Sequence, residues 1–332
     1  NFRGGTDPRV KEILRGRDKR EDIAYIFGVP KDQISLSKEE ALSGEYAYHF
    51  GDLEIGDKEL AELKRNGGTK FPIIVGGEYI IILSITSIKD IPPLPEGVLS
   101  LSLDGLTNPE GLKIPEGVEI LSLNGLTNPE GLKIPEGVRW LSLDGLKTAK
   151  GLKIPEGVEI LSLNGLTNPE GLKIPEGVRW LSLDGLKTAK GLKIPEGVEI
   201  LSLNGLTNPE GLKIPEGVKR LELNGLKTAK GLKIPEGVKS LSLDGLTNPE
   251  GLKIPKGVAW LYLNSLKTAE GLKIPKGVEI LSLKGLTNPE GLEIPEGVQH
   301  LFLNSLKNPE ELNIPESVKR LELDGLIQKN VW

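Results

Sequence analysis

Residues 111–150 read GLKIPEGVEILSLNGLTNPEGLKIPEGVRWLSLDGLKTAK, and residues 151–190 repeat this string without a change. Each half of the string is a variant of one 20-residue unit, IPxGVxxLxLxGLxxxxGLx. A proline-valine pair marks the unit from Pro95/Val98 to Pro315/Val318, which gives twelve copies. Units of this length fold by stacking on their neighbours, because one copy alone cannot bury its apolar side chains. The sequence therefore predicts a solenoid.

The copy from Ile114 to Lys133 shows how one unit is expected to fold. Leu121 and Leu123 alternate with polar neighbours, which is the pattern of a short strand with one buried face. A proline and several glycines recur in each copy, and they leave no stretch long enough for a helix. We predict one coil per unit: a short strand, a turn near Gly125, an extended or single-turn return through residues 127–130, and a corner at the proline. Equivalent leucines of successive coils should then lie in register.

Several motifs of the unit resemble known leucine-rich repeats. The segment LxLxGL, with an aliphatic residue three positions before it, looks like a short leucine-rich repeat over residues 78–326. The IPxGVxxLxL segment resembles short bacterial effector repeats, and Asn128-Pro129 followed by Ile134-Pro135-Glu136-Gly137-Val138 is similar to the FNIP subclass. The period of 20 is shorter than that of this subclass. The resemblance implies a right-handed superhelix whose parallel β-sheet lines a concave face used for recognition.

If the strand leucines point inward, three outward columns recur every 20 residues. The first outward column begins at Ser100, the second at Ser102, and the third, here called the amide column, at Asp104. The core leucines are unchanged over residues 219–322, whereas the first two columns vary there. Tryptophan, tyrosine and arginine are frequent interface anchors. The predicted ligand-binding residues on the concave face are Trp140, Trp180, Arg220, Glu222, Trp260, Tyr262, His300, Phe302, Arg320 and Glu322.

A purely structural role of these columns stays open at this point. Isoleucines and tryptophans of the first outward column can pack on one another across strands and stabilise the sheet without binding anything. Drift at tolerant positions would also produce variety in residues 219–322. Opposite charges alternate along a column that begins at Glu119 and Arg139, which favours stacking of adjacent strands. The amide column alternates aspartate and asparagine; a hydrogen-bonded ladder is favoured there over a site for hard cations, because no calcium-loop motif is present.

Composition excludes several classes of function. The chain has 332 residues, with 42 basic against 47 acidic side chains, so it lacks the basic surface that nucleic acids require. It has no cysteine, hence no disulfide, thiolate metal site or cysteine nucleophile. No apolar run approaches the length of a membrane span. The first residues, 1–5, resemble neither a signal peptide nor an initiator start; we therefore expect a processed or trimmed N-terminus, and an extracellular or cell-surface location is favoured.

The two ends of the chain do not follow the repeat. Residues 1–77 are expected to form a small α+β capping domain, residues 78–326 the solenoid with one degenerate first repeat, and residues 327–332 a C-terminal tail. Within the capping domain we predict the following elements: a helix from Asp7-Pro8 to Arg15, a helix over Arg20–Phe27 ending at Gly28, a capping box at Ser37-x-x-Glu40, a helix capped by Asp57 that runs to Arg65 and ends at Gly67-Gly68, and a hairpin of Phe71–Val75 and Glu78–Leu83 joined by Gly76-Gly77. Only Trp332 is large enough to cover the last coil, so pairing of that end with a second copy is a hypothesis.

No catalytic, metal or cofactor motif is present in the sequence. The two histidines, His49 and His300, belong to different domains and to no metal-type spacing, and the carboxylates Glu39, Glu40, Asp52 and Glu54 are better explained by helix capping and solvation. The leading hypothesis is a non-enzymatic module that binds a protein or other extended ligand on its concave sheet. A rigid spacer or self-assembling repeat protein, natural or consensus-engineered, is the alternative. An enzyme or toxin activity in residues 1–77 is the third hypothesis.

Overall fold

The computed structural model describes residues 19–66, 72–75, 79–91, 94, 97–306, 312–323 and 326–329. The chain divides into two compact units: Asn1–Gly145 with Lys153–Val158, and Leu146–Leu152 with Glu159–Trp332. Four predicted features lie outside the described residues: the helix over residues 7–15, the glycine pairs at 67–68 and 76–77, and Trp332.

The first unit contains helices and strands followed by the first coils. Its described elements are α1 (Lys19–Phe27), β1 (Ile34–Ser35), α2 (Lys38–Leu42), β2 (Tyr48–Phe50), β3 (Leu53–Ile55), α3 (Asp57–Arg65), β4 (Ile73–Val75), β5 (Tyr79–Ile82), β6 (Val98–Ser102), β7 (Ile120–Ser122) and β8 (Trp140–Ser142), with 3₁₀ turns at Lys31–Gln33 and Ile88–Asp90. Strands β1, β2 and β4 form one parallel sheet. Strands β3, β5, β6, β7 and β8 form a second parallel sheet in that order, which is the beginning of the solenoid.

The helix boundaries of this unit agree with the predictions at two points and differ at a third. Helix α1 ends at Phe27 before Gly28, whose φ is +67°, and the Ser37 hydroxyl caps α2 by accepting the Glu40 N–H at 3.2 Å. Asp57, in contrast, is the first residue of α3 and does not act as its N-cap. Its carboxylate instead accepts the Ser84 N–H at 3.0 and 3.1 Å. The aspartate therefore ties α3 to the chain that follows β5.

The predicted hairpin of Phe71–Val75 and Glu78–Leu83 is wrong. Strand β4 pairs with β2 in one sheet, whereas β5 pairs with β3 and β6 in the other. The reason is that β5 stacks on the first repeat: Ile81 is in register with Leu101, and Ile81 and Leu83 are buried. Stacking on β6 gives these side chains a core, which an isolated hairpin lacks. This pairing and burial support the prediction of a degenerate first coil, which stays a prediction.

The second unit consists of stacked coils. Its strands are β9 (Ile160–Ser162), β10 (Trp180–Ser182), β11 (Ile200–Ser202), β12 (Arg220–Glu222), β13 (Ser240–Ser242), β14 (Trp260–Tyr262), β15 (Ile280–Ser282), β16 (His300–Phe302), β17 (Arg320–Leu323) and β18 (Leu326–Lys329). Strands β9 to β17 are parallel neighbours in sequence order, and each pair aligns equivalent residues, as Leu201 with Leu221. In the first unit Leu121 aligns with Leu141 in the same way. The predicted solenoid with a parallel sheet is confirmed.

Each coil is closed by three tight turns. In the coil that begins at Leu201, backbone hydrogen bonds join Leu206 N to Leu203 O, Leu212 N to Pro209 O, and Val218 N to Pro215 O, at 3.0 to 3.2 Å. Between coils, the Glu199 N–H donates to Arg179 O at 2.8 Å. No helix forms in residues 97–306, since each turn carries a single hydrogen bond.

The core contains one position that the repeat pattern did not predict. From the coil that begins at Val98 to the one that begins at Val278, the valine and the three following leucines are fully buried, as expected. In the last coil Leu323 is only half-buried. A proline or alanine on the return leg is buried as well, and Ala189 is 0% exposed. Leu192, three residues after this alanine, is buried, whereas Leu212, three residues after Pro209, is only half-buried. Successive coils of the second unit therefore alternate between two ways of packing the return leg.

The C-terminal edge differs from the predicted tail. Strand β18 turns back and pairs antiparallel with β17, aligning Leu321 with Gln328. Residues 326–329 thus continue the sheet, and the edge of the last parallel strand is paired within the chain.

Candidate functional site

The strands of the solenoid place the predicted site residues on the open face of the sheet. Trp180 and Trp260 occupy the same position of β10 and β14, and they are 45% and 46% exposed. Trp180 lies between Ile160 and Ile200 on the neighbouring strands. Trp140 is in the first unit, where Ile120 is its neighbour on β7. The remaining predicted site residues, from Arg220 onward, all belong to the second unit.

A first depression of this face, here called the serine hollow, is centred on Ser240. It has a volume of about 480 Å³ and is lined by Ile200, Arg220, Ser240, Trp260, Ala259, Glu199, Lys219, Lys239 and Glu279. The hollow exists because the small Ser240 side chain stands between Arg220 and Trp260 in the first outward column. Ser240 is itself buried at its floor. The hollow can accept one large apolar side chain.

Charges around the serine hollow are largely neutralised within the chain. The Arg220 guanidinium donates from Nε to Glu222 Oε1 at 2.8 Å, and its Nη2 lies 2.7 Å from the same oxygen. Glu199 accepts from Lys219 Nζ at 2.7 Å and from Arg179 Nη1 at 3.0 Å. The Lys219 ammonium, followed by Arg179, holds the pKa of Glu199 below its usual range. Arg220 and Glu222 were predicted as ligand contacts, and the structure shows that they also hold each other in place.

A second depression, here called the cationic hollow, lies on the other side of β14. It has a volume of about 450 Å³ and is lined by Tyr262, Asn264, Ile280, Ser282, Lys284, His300, Phe302 and Arg320. Lys284 Nζ and Arg320 Cζ lie 5.3 and 5.5 Å from the centroid of the Phe302 ring. Four residues predicted from the sequence thus come together here, since Tyr262, His300, Phe302 and Arg320 share this hollow.

Lys284 is a member of the site that was not predicted from the sequence. Every other residue of the amide column from Asp104 to Asp324 is aspartate or asparagine, so the lysine is a visible departure. Its ammonium has no ion-pair partner among the described residues and lies over the Phe302 ring. Lys284 therefore presents a positive charge to the hollow that the described part of the chain does not neutralise.

Arg320 is only partly satisfied by its neighbours. Its Nη2 lies 3.7 Å from Glu322 Oε2, and the other oxygen of Glu322 accepts the Asn304 side-chain amide at 2.8 Å. Arg320 Nε is buried without a hydrogen-bond partner in the described part of the chain. Glu322 is thus shared between two donors, and among the described residues the lining of the cationic hollow keeps an excess of positive charge.

The amide column forms the predicted hydrogen-bonded ladder. Asp184 Oδ1 accepts both the Ser202 hydroxyl at 2.6 Å and the Asn204 N–H at 2.8 Å, and Asn224 Oδ1 accepts the Ser242 hydroxyl at 2.6 Å. The serine hydroxyls of the second outward column are donors that the sequence did not predict. Within the described residues, no cluster of histidine, cysteine and carboxylate side chains could hold a metal ion.

The other histidine, His49, is buried in the first unit. It is 3% exposed, and its Nδ1 lies 2.9 Å from Ser35 Oγ. Burial lowers the pKa of His49 below its ordinary value of 6.5, against the opposing effects of the Asp52 backbone and of the Glu40 charge. Ser35 is buried as well, so the pair lies in the interior of the first unit.

We expect the first unit to lose stability as the pH falls below 6.5. The unfolded chain binds a proton on His49 near that pH and the folded chain does not, so stability is full above it and declines as the pH drops toward the folded pKa. Proton NMR of a His300→Gln variant, in which His49 is the sole histidine, should show the ring titrating below pH 6.5. A midpoint at or above this value would contradict the burial of the ring.

No described helix has the length and apolar character needed to cross a membrane.

Comparisons with known proteins identify the fold. No protein-family model matches this chain, and no curated protein sequence matches it. Among solved structures, the fold is similar to YopM from Yersinia enterocolitica WA-314, with a TM-score of 0.52 and 17% identity, covering 77% of this chain and 66% of that one. YopM from Yersinia pestis, a leucine-rich effector protein, gives a TM-score of 0.48 and 17% identity, covering 73% of this chain and 82% of that one. The repeats are of the leucine-rich type, and the chain spans just under two thirds of the length of the first YopM structure.

Proposed function

We propose that the chain is a non-enzymatic recognition module that binds a protein or other extended ligand on the open face of its parallel sheet. One observation carries the proposal: departures from the repeat gather in two adjoining hollows of the second unit, while the leucines beneath them are unchanged and buried. Strand β14 contributes Trp260 to the serine hollow and Tyr262 to the cationic hollow. Neither a cofactor nor a metal is required for this function, and the net charge of −5 disfavours nucleic acid as the ligand.

The hollows have the features of a contact site. Large aromatic side chains next to a partly desolvated arginine are typical of the residues that dominate binding energy. Trp260 is nearly half exposed and stands beside a depression, so a partner side chain can contact its ring and the floor at Ser240 together. Trp180 has the same exposure but stands between two isoleucines, where packing across strands explains it. The proposed binding site therefore lies on β12 to β17, and Trp180 is a peripheral residue.

A Trp260→Ser, Tyr262→Ser double variant should lose at least about tenfold in affinity for a ligand of this face, because each aromatic anchor of an interface is worth more than about 1 kcal/mol. Random peptides displayed on phage and selected on the immobilised chain supply the probe, and isothermal titration of the synthetic peptides measures the change. Serine occupies both positions in β13, at Ser240 and Ser242, so the variant keeps a side chain that the fold accepts.

Trp180→Ser is the matched control, since it removes an equally exposed tryptophan from the same position of another coil. Its affinity should stay within about twofold of the parent, because interface energy is concentrated in few residues. If the selection yields no binders, or if both variants lose affinity equally, the proposed site is wrong.

The exact duplication of residues 111–150 favours a second candidate function, a rigid spacer or self-assembling repeat protein, because identical coils provide stiffness without a distinct binding surface. A spacer would keep its assembly state in the Trp260→Ser, Tyr262→Ser variant and would bind no peptide. Sedimentation of the parent and the variant at several concentrations separates the two functions.

Under either function we propose that residues 1–77 cap the first coils, as the pairing of β3 with β5 supports. We also propose that the repeats are related to the FNIP subclass, because they share its Asn-Pro and Ile-Pro motifs.

A further inference from the structure

The two hollows differ in chemistry, and this difference indicates what kind of ligand would fill them. The serine hollow has walls of Ile200, Trp260 and Ala259, and the ion pairs at its rim form within the chain. The cationic hollow has an aromatic floor at Phe302 with two cations near its ring. A ligand that fills both must carry an apolar group and a negatively charged group.

We propose that the second unit binds an extended polypeptide segment that places a large apolar side chain in the serine hollow and an oxyanion in the cationic hollow. This inference rests on the proposed function, since it specifies the ligand of the same face. The oxyanion is the carboxylate of an acidic side chain or the phosphate of a phosphorylated one, because both accept hydrogen bonds from lysine and arginine.

Charge supports an oxyanion at this position. Lys284 has no carboxylate within ion-pair distance in the described part of the chain, and Arg320 shares Glu322 with Asn304. The Arg320 side chain is 43% exposed, so its guanidinium can be reached from the hollow. Both cations lie near the Phe302 ring, and Lys284 is otherwise exposed to solvent. An oxyanion between them would satisfy donors that the described chain leaves unused.

The spacing of the hollows fits an extended segment. Ser240 and Ser282 lie two strands apart in the sheet and differ by one outward position along the strand. With strands about 4.8 Å apart and about 3.3 Å per residue along a strand, the two points are separated by about 12 Å. An extended chain covers that distance with three to four residues, at about 3.3 Å each. We therefore expect the apolar and acidic residues of the ligand to be three or four positions apart.

The test uses the full chain and phage-displayed random peptides of about twelve residues. Enriched peptides should combine an acidic residue with a tryptophan, phenylalanine or leucine at the expected spacing. In the Lys284→Asn variant, the affinity of such a peptide should fall at least about tenfold, because the variant removes a charge pair that the bound peptide would bury. Asparagine is the residue of the neighbouring coils at this position, at Asn264 and Asn304, so the substitution keeps the ladder.

Two controls make the result specific to the hollow. Lys319→Gln removes the same charge next to Arg320 but outside the cationic hollow, and it should change affinity by less than about twofold. Changing the peptide's acidic residue to its amide should weaken binding to the parent chain clearly more than to the Lys284→Asn variant, in which Arg320 is the remaining cation beside Phe302. Additive losses in this cycle would overturn the inference.

The binding of selected peptides also separates the oxyanion site from the recognition module as a whole. Some selected peptides could lack an acidic residue, lose affinity in the Trp260→Ser, Tyr262→Ser variant and keep their affinity in the Lys284→Asn variant. That result would support the recognition module and overturn the oxyanion site. Failure to enrich any peptide would overturn both. Replacing the acidic residue by phosphoserine distinguishes the two sources: tighter binding identifies a phosphorylated segment as the occupant, and weaker binding identifies an acidic one.

Discussion

Replacing Leu221 by alanine is expected to destabilise the second unit by about 2–5 kcal/mol, the range measured for fully buried leucines. Leu221 is 0% exposed and lies at the centre of β12, in register with Leu201 and Leu241. Truncation of Leu221 would leave a cavity between Leu201 and Leu241. Backbone hydrogen bonds between the strands fix the distance between these two leucines. Such a site collapses poorly, because moving either neighbour breaks the sheet on that side.

The loss should appear first in the coils on both sides of the substitution. Repeat arrays are stabilised by interfaces between neighbours and often unfold in parts, so a single unfolding free energy describes them badly. Amide hydrogen exchange in β11 to β13, together with the denaturation midpoint, is the suitable measurement. Leu212→Ala is the matched control and should cost markedly less, since Leu212 is only half-buried on the return leg. Equal losses at the two positions would contradict the assignment of the core.

The period of the sequence is sufficient to predict the coil and its register. A leucine pair every 20 residues can satisfy a parallel stack in only one alignment, and a shift by one residue would turn the leucines to solvent. The same periodicity predicts that Ile81 and Leu83 form part of a first coil, and Ile81 aligns with Leu101. The hairpin prediction is wrong because the local turn signal at Gly76-Gly77 is weaker than this periodicity. Stacking on β6 buries Ile81 and Leu83, and this burial determines where β5 pairs.

The candidate site could be predicted only in part. Side chains alternate between the two faces of the sheet along each strand, and this alternation predicts which columns face outward. Trp260, Tyr262 and Phe302 can therefore be found from the sequence. The position of each hollow depends on small side chains and on how the coils pair. A search of the sequence for unusual residues does not find these features. Ser240 looks ordinary in the sequence because small residues carry no signal of their own. Lys284 is the single lysine of the amide column, but only the structure shows that no carboxylate among the described residues pairs with it.

Replacing Asp184 by alanine is expected to destabilise the second unit by about 1–3 kcal/mol, because two donors lose a charged acceptor. Asp184 Oδ1 accepts the Ser202 hydroxyl and the Asn204 N–H, so one oxygen joins the side chain and the backbone of the next coil. Alanine has no acceptor to replace it, and the half-buried position limits what water can supply.

Asp184→Asn is the matched control, since asparagine occupies the same position in the adjacent coils at Asn164 and Asn204. Asn224 shows that an amide oxygen serves equally as acceptor: it receives the Ser242 hydroxyl at 2.6 Å and the Asp244 N–H at 3.0 Å. The denaturation midpoint of Asp184→Asn should therefore stay close to that of the parent, while Asp184→Ala shifts clearly downward. If both variants lose the same stability, charge and not the shared acceptor holds successive coils together.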